Sequence, residues 1–356
     1  MIVDSLRKVK AQLEEAHESH PLKSSALNIV NYILNKSPHI RPYSPVPSIN
    51  FKQQCSQAEL FKDVKNHSRF HGQLTQDCDD QWSFFDFVKG WSAMADYADP
   101  LDVDHNPLMA LNVASESESG FRKCIEELPA KIQAEGIFCK SREDGSPMLY
   151  GVVTPAPNIS QLHSDNSGSG QIILQSYKTK LIIWWDVTDE ILEKYSRFHC
   201  RNMVGDPVLI AIKTWGEFHW VVLKPGEYLC LDPGQIHCVV SSVNSAISGW
   251  SFVSSEWLKS GNLKKTMIWE MELIEKRQDY VLRTGITDEH LSNAVEGVEK
   301  DLKLWEDWLA KGDLGVGLKR DLKILIREMN IKWKLIKKKR ISDTGFMAAE
   351  ELMKIH

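Results

Sequence analysis

Between residues 148 and 258 the chain is divided into short runs rich in β-branched and aromatic residues: QIILQSY, KLIIWWDV, DPVLIAI, FHWVVL, GEYLCL, IHCVVSS and AISGWSFV. Turn-forming residues bound each run, so the pattern predicts strands and hairpins. Many short strands at close spacing bury their edges best by closing on one another. This stretch therefore predicts a barrel or a two-sheet sandwich.

The flanks read differently. Leu6, Val9, Leu13 and Ala16, then Leu27, Val30, Ile33 and Leu34, recur at spacings near three and four on either side of His20-Pro21. They predict two amphipathic helices within residues 1–37. Pro38, Pro42, Pro45 and Pro47 then favour an extended connector. Residues 38–147 form a mixed region expected to pack on the barrel, with an aromatic cluster of Trp82, Phe84, Phe85, Phe87, Trp91 and Tyr97. After Trp257 the period becomes helical, and residues 259–356 form a C-terminal helical region. Leu291, Val295, Val298, Leu302, Trp305 and Leu309 make one seam; Leu318, Leu322, Leu325, Met329, Trp333 and Ile336 make a second across the turn KGDLGVG. The end of the chain thus reads as a helical hairpin that packs on itself or forms a homodimer.

Charge and cysteine content narrow the function. The net charge of −5 gives no global field for nucleic acid or an anionic membrane, although residues 311–340 carry a local +8. That segment is either a solvated helix face or a docking surface for nucleic acid or an acidic partner. Seven scattered cysteines, none in a CxxC, oppose a disulfide framework or a zinc module. No 18-residue apolar run is present, and the N-terminus becomes charged before a signal-peptide core forms. An intracellular protein, cytoplasmic or nuclear, with no membrane contact is expected.

The chemistry concentrates in Ile159-Ser160-Gln161-Leu162-His163-Ser164-Asp165. On a strand, residues i and i+2 share a face, so His163 and Asp165 can present an imidazole and a carboxylate to one point. His237, 74 residues after His163 and following two Pro-Gly turns, can supply a third ligand at the start of another strand. Two histidines and one carboxylate are the facial triad of non-haem Fe(II) oxygenases. His219 is an alternative ligand or pocket residue. His67 and His71 have helical spacing but no third ligand nearby.

Residues 155–255 resemble the cupin-type core of the jumonji C (JmjC) 2-oxoglutarate oxygenases. Ser160 stands three residues before His163, where that family carries a hydroxyl. Lys178, in Gln175-Ser176-Tyr177-Lys178-Thr179-Lys180, stands at the distance of the family's cosubstrate lysine, with Lys180 as the fallback. Pro225-Gly226-Glu227 resembles the turn ahead of the distal histidine, and Asn244 with Ser251-Phe252 resembles the closing strand. Gln235-Ile236 and Trp184-Trp185 depart from the family pattern.

The resemblance implies an α+β fold whose core is a double-stranded β-helix (jelly-roll or cupin), flanked by N-terminal helices and a C-terminal helical hairpin. It implies Fe(II) on the catalytic residues His163, Asp165 and His237, with 2-oxoglutarate held by Lys178 and Ser160, or Lys180, and O2 as oxidant. The activity implied is a dioxygenase that hydroxylates or N-demethylates a protein side chain or small molecule. The alternatives are a non-catalytic metal-binding cupin and a nucleic-acid- or chromatin-directed demethylase docking through the basic C-terminal helix.

Overall fold

Strand β8 (Lys180–Trp184) is buried along its whole length. Leu181 and Ile183 pack on one side, and Ile182 and Trp184 on the other. A strand covered on both faces needs an apolar run, which Leu181-Ile182-Ile183-Trp184 supplies after Lys180. The computed structural model describes residues 2–36 except 17, 19 and 21, the strand segments 70–73, 79–82, 109–111 and 137–139, and residues 150–354 except 155, 166, 200–205 and 285–288.

Helices α1 (Ile2–Glu15) and α2 (Lys23–Lys36) open the chain. Four short strands follow: β1 (Phe70–Gln73), β2 (Asp79–Trp82), β3 (Met109–Leu111) and β4 (Ile137–Cys139). The central strands are β5 (Tyr150–Thr154), β6 (Asn158–His163), β7 (Gly170–Tyr177), β8, β9 (His219–Leu223), β10 (Tyr228–Leu231), β11 (His237–Ser241) and β12 (Ser245–Ser254). Helices α3 (Asp189–His199) and α4 (Pro207–Thr214) lie between β8 and β9. After β12 come α5 (Ser255–Ser260), α6 (Asn262–Thr284), α7 (Glu289–Lys311) and α8 (Val316–Lys354).

The fold mixes helices with two antiparallel sheets. One sheet runs β10-β7-β12-β5-β3-β1-β2, with β4 also on β12; the other runs β6-β11-β8-β9. From β5 to β12 the chain passes back and forth between them. Val152, Ile173, Ile182, Trp184, Val221, Leu223, Leu229, Leu231, Val239 and Ile247, from both sheets, fill the space between. The turns β5–β6, β7–β8, β9–β10 and β11–β12 gather at one end, where Thr154 pairs with Ser245 and Lys180 with Leu223. The opposite end, bearing the β6–β7 and β10–β11 loops, is the mouth.

Helices cover the outer faces. Leu6, Val9, Leu13, Ile29 and Ile33 pack α1 and α2 on the smaller sheet with α3 and α4. Ile172, Leu174, Trp250 and Phe252 of the larger sheet pack against α5 to α8. No helix among the described residues is long and apolar enough to cross a membrane.

Two expectations change. DPVLIAI is helix α4, not a strand: Asp206 caps it by accepting from Leu209 N, and Pro207 occupies the first turn, where a missing N–H costs nothing. The two C-terminal seams are joined by a third helix, α6, so Met267, Met271 and Ile274 enter the same core as Leu302, Trp305, Leu322 and Trp333. The hairpin is a three-helix layer whose seams are buried within one chain. The aromatic cluster at 84–97 lies outside the described residues.

Trp250 is fully buried and donates its indole N–H to Cys139 Sγ at 3.0 Å. Trp250→Ala is expected to cost about 3–5 kcal/mol, read by chemical denaturation, while Ile324→Ala on the exposed face of α8 stays within about 0.5 kcal/mol.

Candidate metal centre

A β-bulge builds the centre. In the β6–β11 pairing His163 stands opposite His237 and Ser160 opposite Val239, so Gln161 and Leu162 together face the single residue Cys238. On a regular strand Ser160 and His163, three apart, would point to opposite faces. The extra residue restores phase and turns both inward. Ile159 and Leu162 go to the outer, helix-covered face.

Strand β6 ends at His163, so Asp165 is not on the strand as its spacing predicts but in the bend beyond. That bend returns the carboxylate to the imidazoles. Asp165 Oδ1 lies 3.3 Å from His163 Nε2, and Oδ2 lies 3.6 Å from His237 Nε2. The rings of His163 and His237 are 4.2 Å apart. One ligand atom from each residue falls within 4.8 Å of the others, so the three can hold a metal ion.

The distal histidine is fixed by its turn. Gln235 N donates to Asp232 O at 3.1 Å, and Gly234 supplies the positive φ of 70° that the Pro-Gly turn requires. Gln235 O then accepts from His237 Nδ1 at 3.1 Å, which aims Nε2 at Asp165 as metal-binding histidines require. Burial, aided by the neighbouring His163, pushes the His237 imidazole down to about 4, so it is neutral near pH 7. For Asp165, burial opposes ionisation, but the two histidines outweigh it and hold the carboxyl down at about 2.

One row of the small sheet continues from the ligands: His163 pairs with His237, His237 with Trp184, and Trp184 with His219. His219 is therefore a rim residue, not a ligand. It stacks on Trp184 at 5.5 Å and bonds Asp186 Oδ1 at 3.1 Å. His71 lies on strand β1, so the helical spacing to His67 is not realised, and His67 lies outside the described residues.

At the closed end the two candidate lysines separate. Lys178 is exposed in the β7–β8 turn at φ 60° and lies over the Tyr177 ring at 5.4 Å, away from the interior. Lys178, the first choice for the cosubstrate lysine, thus stands on the surface, and the fallback, Lys180, is the one that is buried. Lys180, on β8, is 2% exposed and donates to Thr154 Oγ1 at 2.8 Å. Among the described residues no carboxylate pairs with it, and burial lowers its ammonium to about 7. Ser160 is buried between the lysine and the ligands, opposite Val239. Thr154 was not evident from the sequence, because it reaches Lys180 only through the pairing of β5 with β12. Two further inward amides, Gln171 and Gln175, each keep a buried oxygen without a partner among the described residues.

No protein-family model matches the chain, and a search of curated proteins finds no match.

His163→Ala, Asp165→Ala and His237→Ala are each expected to weaken Co(II) binding by more than about 100-fold, beyond the range produced by outer residues, while His219→Ala leaves it unchanged. Titration followed by the cobalt visible spectrum reads both.

Proposed function

We propose that the chain is an Fe(II)- and 2-oxoglutarate-dependent oxygenase on a JmjC-type double-stranded β-helix. Three features support the reading. The alternation of β5 to β12 between two antiparallel sheets matches a jelly-roll winding. Two imidazoles and a carboxylate at the mouth suit non-haem iron. The third feature carries the most weight: an ammonium buried at the closed end whose one partner among the described residues is a hydroxyl.

A buried cation without a counter-charge is costly, and an anionic ligand removes the imbalance. Lys180 opens β8, one residue beyond the Leu181–Val240 pair and four residues along from Trp184, which stands opposite His237; that is about 13 Å of strand. A 2-oxo diacid suits this arrangement, with its oxo-acid end at the metal ligands and its far carboxylate on Lys180 and Thr154. Ser160 lies along the way. When bound, iron and 2-oxoglutarate would supply O2 activation coupled to oxidative decarboxylation, giving succinate and CO2 and oxidising a substrate C–H bond.

The chain's own groups hold and shield. His163 and Asp165 are partly exposed whereas His237 is buried, so a substrate approaches over the first two. Trp184 closes the side beside His237, and Ile182, Val239 and Ile173 keep the interior apolar. The substrate is a protein side chain or a small molecule; hydroxylation follows at carbon and demethylation at an N-methyl group.

Calorimetric titration of 2-oxoglutarate into the Mn(II)-loaded protein tests the reading. Lys180→Met is expected to abolish binding and Lys178→Ala to leave it intact; a Lys180→Met protein that binds like the unmodified one contradicts the assignment. Affinity should fall as pH rises above about 7, where Lys180 loses its proton.

The same residue has a stability signature. Its folded value lies below its unfolded value, so the folded state binds fewer protons and the cost of Lys180 shrinks as pH rises from about 7 towards 10.5. Lys180→Met should therefore raise the melting temperature more at pH 6 than at pH 9.

A further inference from the structure

The backbone beyond Asp165, at residues 167–169, is gripped from behind by helices far away in sequence. Asp301 on α7 is 2% exposed and accepts two hydrogen bonds from it: Gly168 N to Oδ2 and Ser169 Oγ to Oδ1, both 2.7 Å. Trp305, one turn further along α7, donates its indole N–H to Gly168 O at 2.6 Å. From α6, Glu270 Oε2 accepts from Ser167 Oγ at 2.9 Å, and the Thr266 hydroxyl meets Ser167 O.

The fit admits no slack. A Cβ on Gly168 would stand 2.3 Å from Met267 Cε and 2.7 Å from Asp301 Cβ. One on Gly170 would stand 2.2 Å from the Trp257 ring and 2.5 Å from Leu231 O. The backbone is therefore pressed onto the helices immediately after it has delivered Asp165.

A buried carboxylate is an expensive way to tie down a loop. Burial holds the Asp301 carboxyl up at about 7, against the pull of its hydrogen bonds to Ser169 and Gly168. An apolar residue in its place would leave the Gly168 N–H unmet and the loop free to shift. Asp165 lies three residues from Gly168, and both of its oxygens face imidazoles.

We infer that Asp301 is a positioning residue for the metal centre: through Gly168 and Ser169 it sets where Asp165 stands, making the C-terminal helices part of the ligand shell's support. The inference rests on the metal-site reading above and extends it to a residue 136 positions away from Asp165 in the chain. The role is to orient a ligand, not to touch metal or substrate.

Asp301→Asn tests this with little change of shape, since the amide has one acceptor where the carboxylate has two, so Gly168 N–H and Ser169 O–H can no longer both donate to it. Folding is checked by circular dichroism, and Co(II) affinity is measured on the folded protein. Asp301→Asn is expected to weaken Co(II) binding about 10- to 100-fold, and Asp307→Asn on the same helix to leave it unchanged. Hydrogen exchange of amides 164–169 in the metal-free protein should accelerate in Asp301→Asn. Unmodified metal affinity in folded Asp301→Asn, or unchanged exchange in the loop, overturns the inference. If Asp301→Asn fails to fold, Ser169→Ala removes one of the two bonds, and a smaller loss of affinity is expected; no loss overturns the inference. Absence of Co(II) binding by the unmodified protein instead overturns the metal-site reading itself, and this one with it.

Discussion

The extra residue in β6 opposite Cys238 is the constraint on which the site depends. Without it, strand alternation would leave either Ser160 or His163 facing the outer helices, and His163 could not stand across from His237. With it, one face of the strand delivers a hydroxyl to the interior and an imidazole to the mouth. The strand can then end, and the bend that follows returns Asp165 to both rings. A bulge also bends its strand and strengthens its twist. The apolar cover of α1 to α4 on the outer face, where Ile159 and Leu162 are packed, holds it in place.

The interior spends stability on polar groups. Lys180, Gln171 and Gln175 are buried where a two-sheet core would be more stable with aliphatic side chains, and behind the mouth Asp301 is buried and Glu270 half-buried. Large apolar layers offset this cost: Trp185 and Trp220 on one side of the small sheet, and Trp250, Trp305 and Trp308 on the helix side of the large one. Polar groups buried inside such a well-packed frame mark where function competes with stability. Here they fall along one line from the closed end to the mouth and then into the loop behind it.

Much of this was legible in the sequence, and the losses have physical causes. The β-branched runs located six of the strands, and HxD with a distant histidine located the three residues that the fold brings together. DPVLIAI misled because an apolar run of that length suits a buried helix as well as a strand, while the Asp-Pro counted into the run is an N-cap followed by a first-turn proline. Counting along the chain favoured Lys178 over Lys180, and only the left-handed turn at Lys178 shows which of them is in phase with the interior. Thr154 and Asp301 had no local signal, since each acquires its partner through contacts between segments 26 and more than 130 residues apart.

The bidentate 2-oxo acid at the triad is the central claim, and its optical signature is the most direct test. Fe(II) and 2-oxoglutarate are added under anaerobic conditions to the folded protein, separately and then together, and the visible spectrum is recorded. A weak charge-transfer band that needs both additions, and is lost in His237→Ala, is the expected result. No band in a protein shown to be folded and loaded with Fe(II) would contradict the oxygenase reading and leave a metal-binding protein without the cosubstrate.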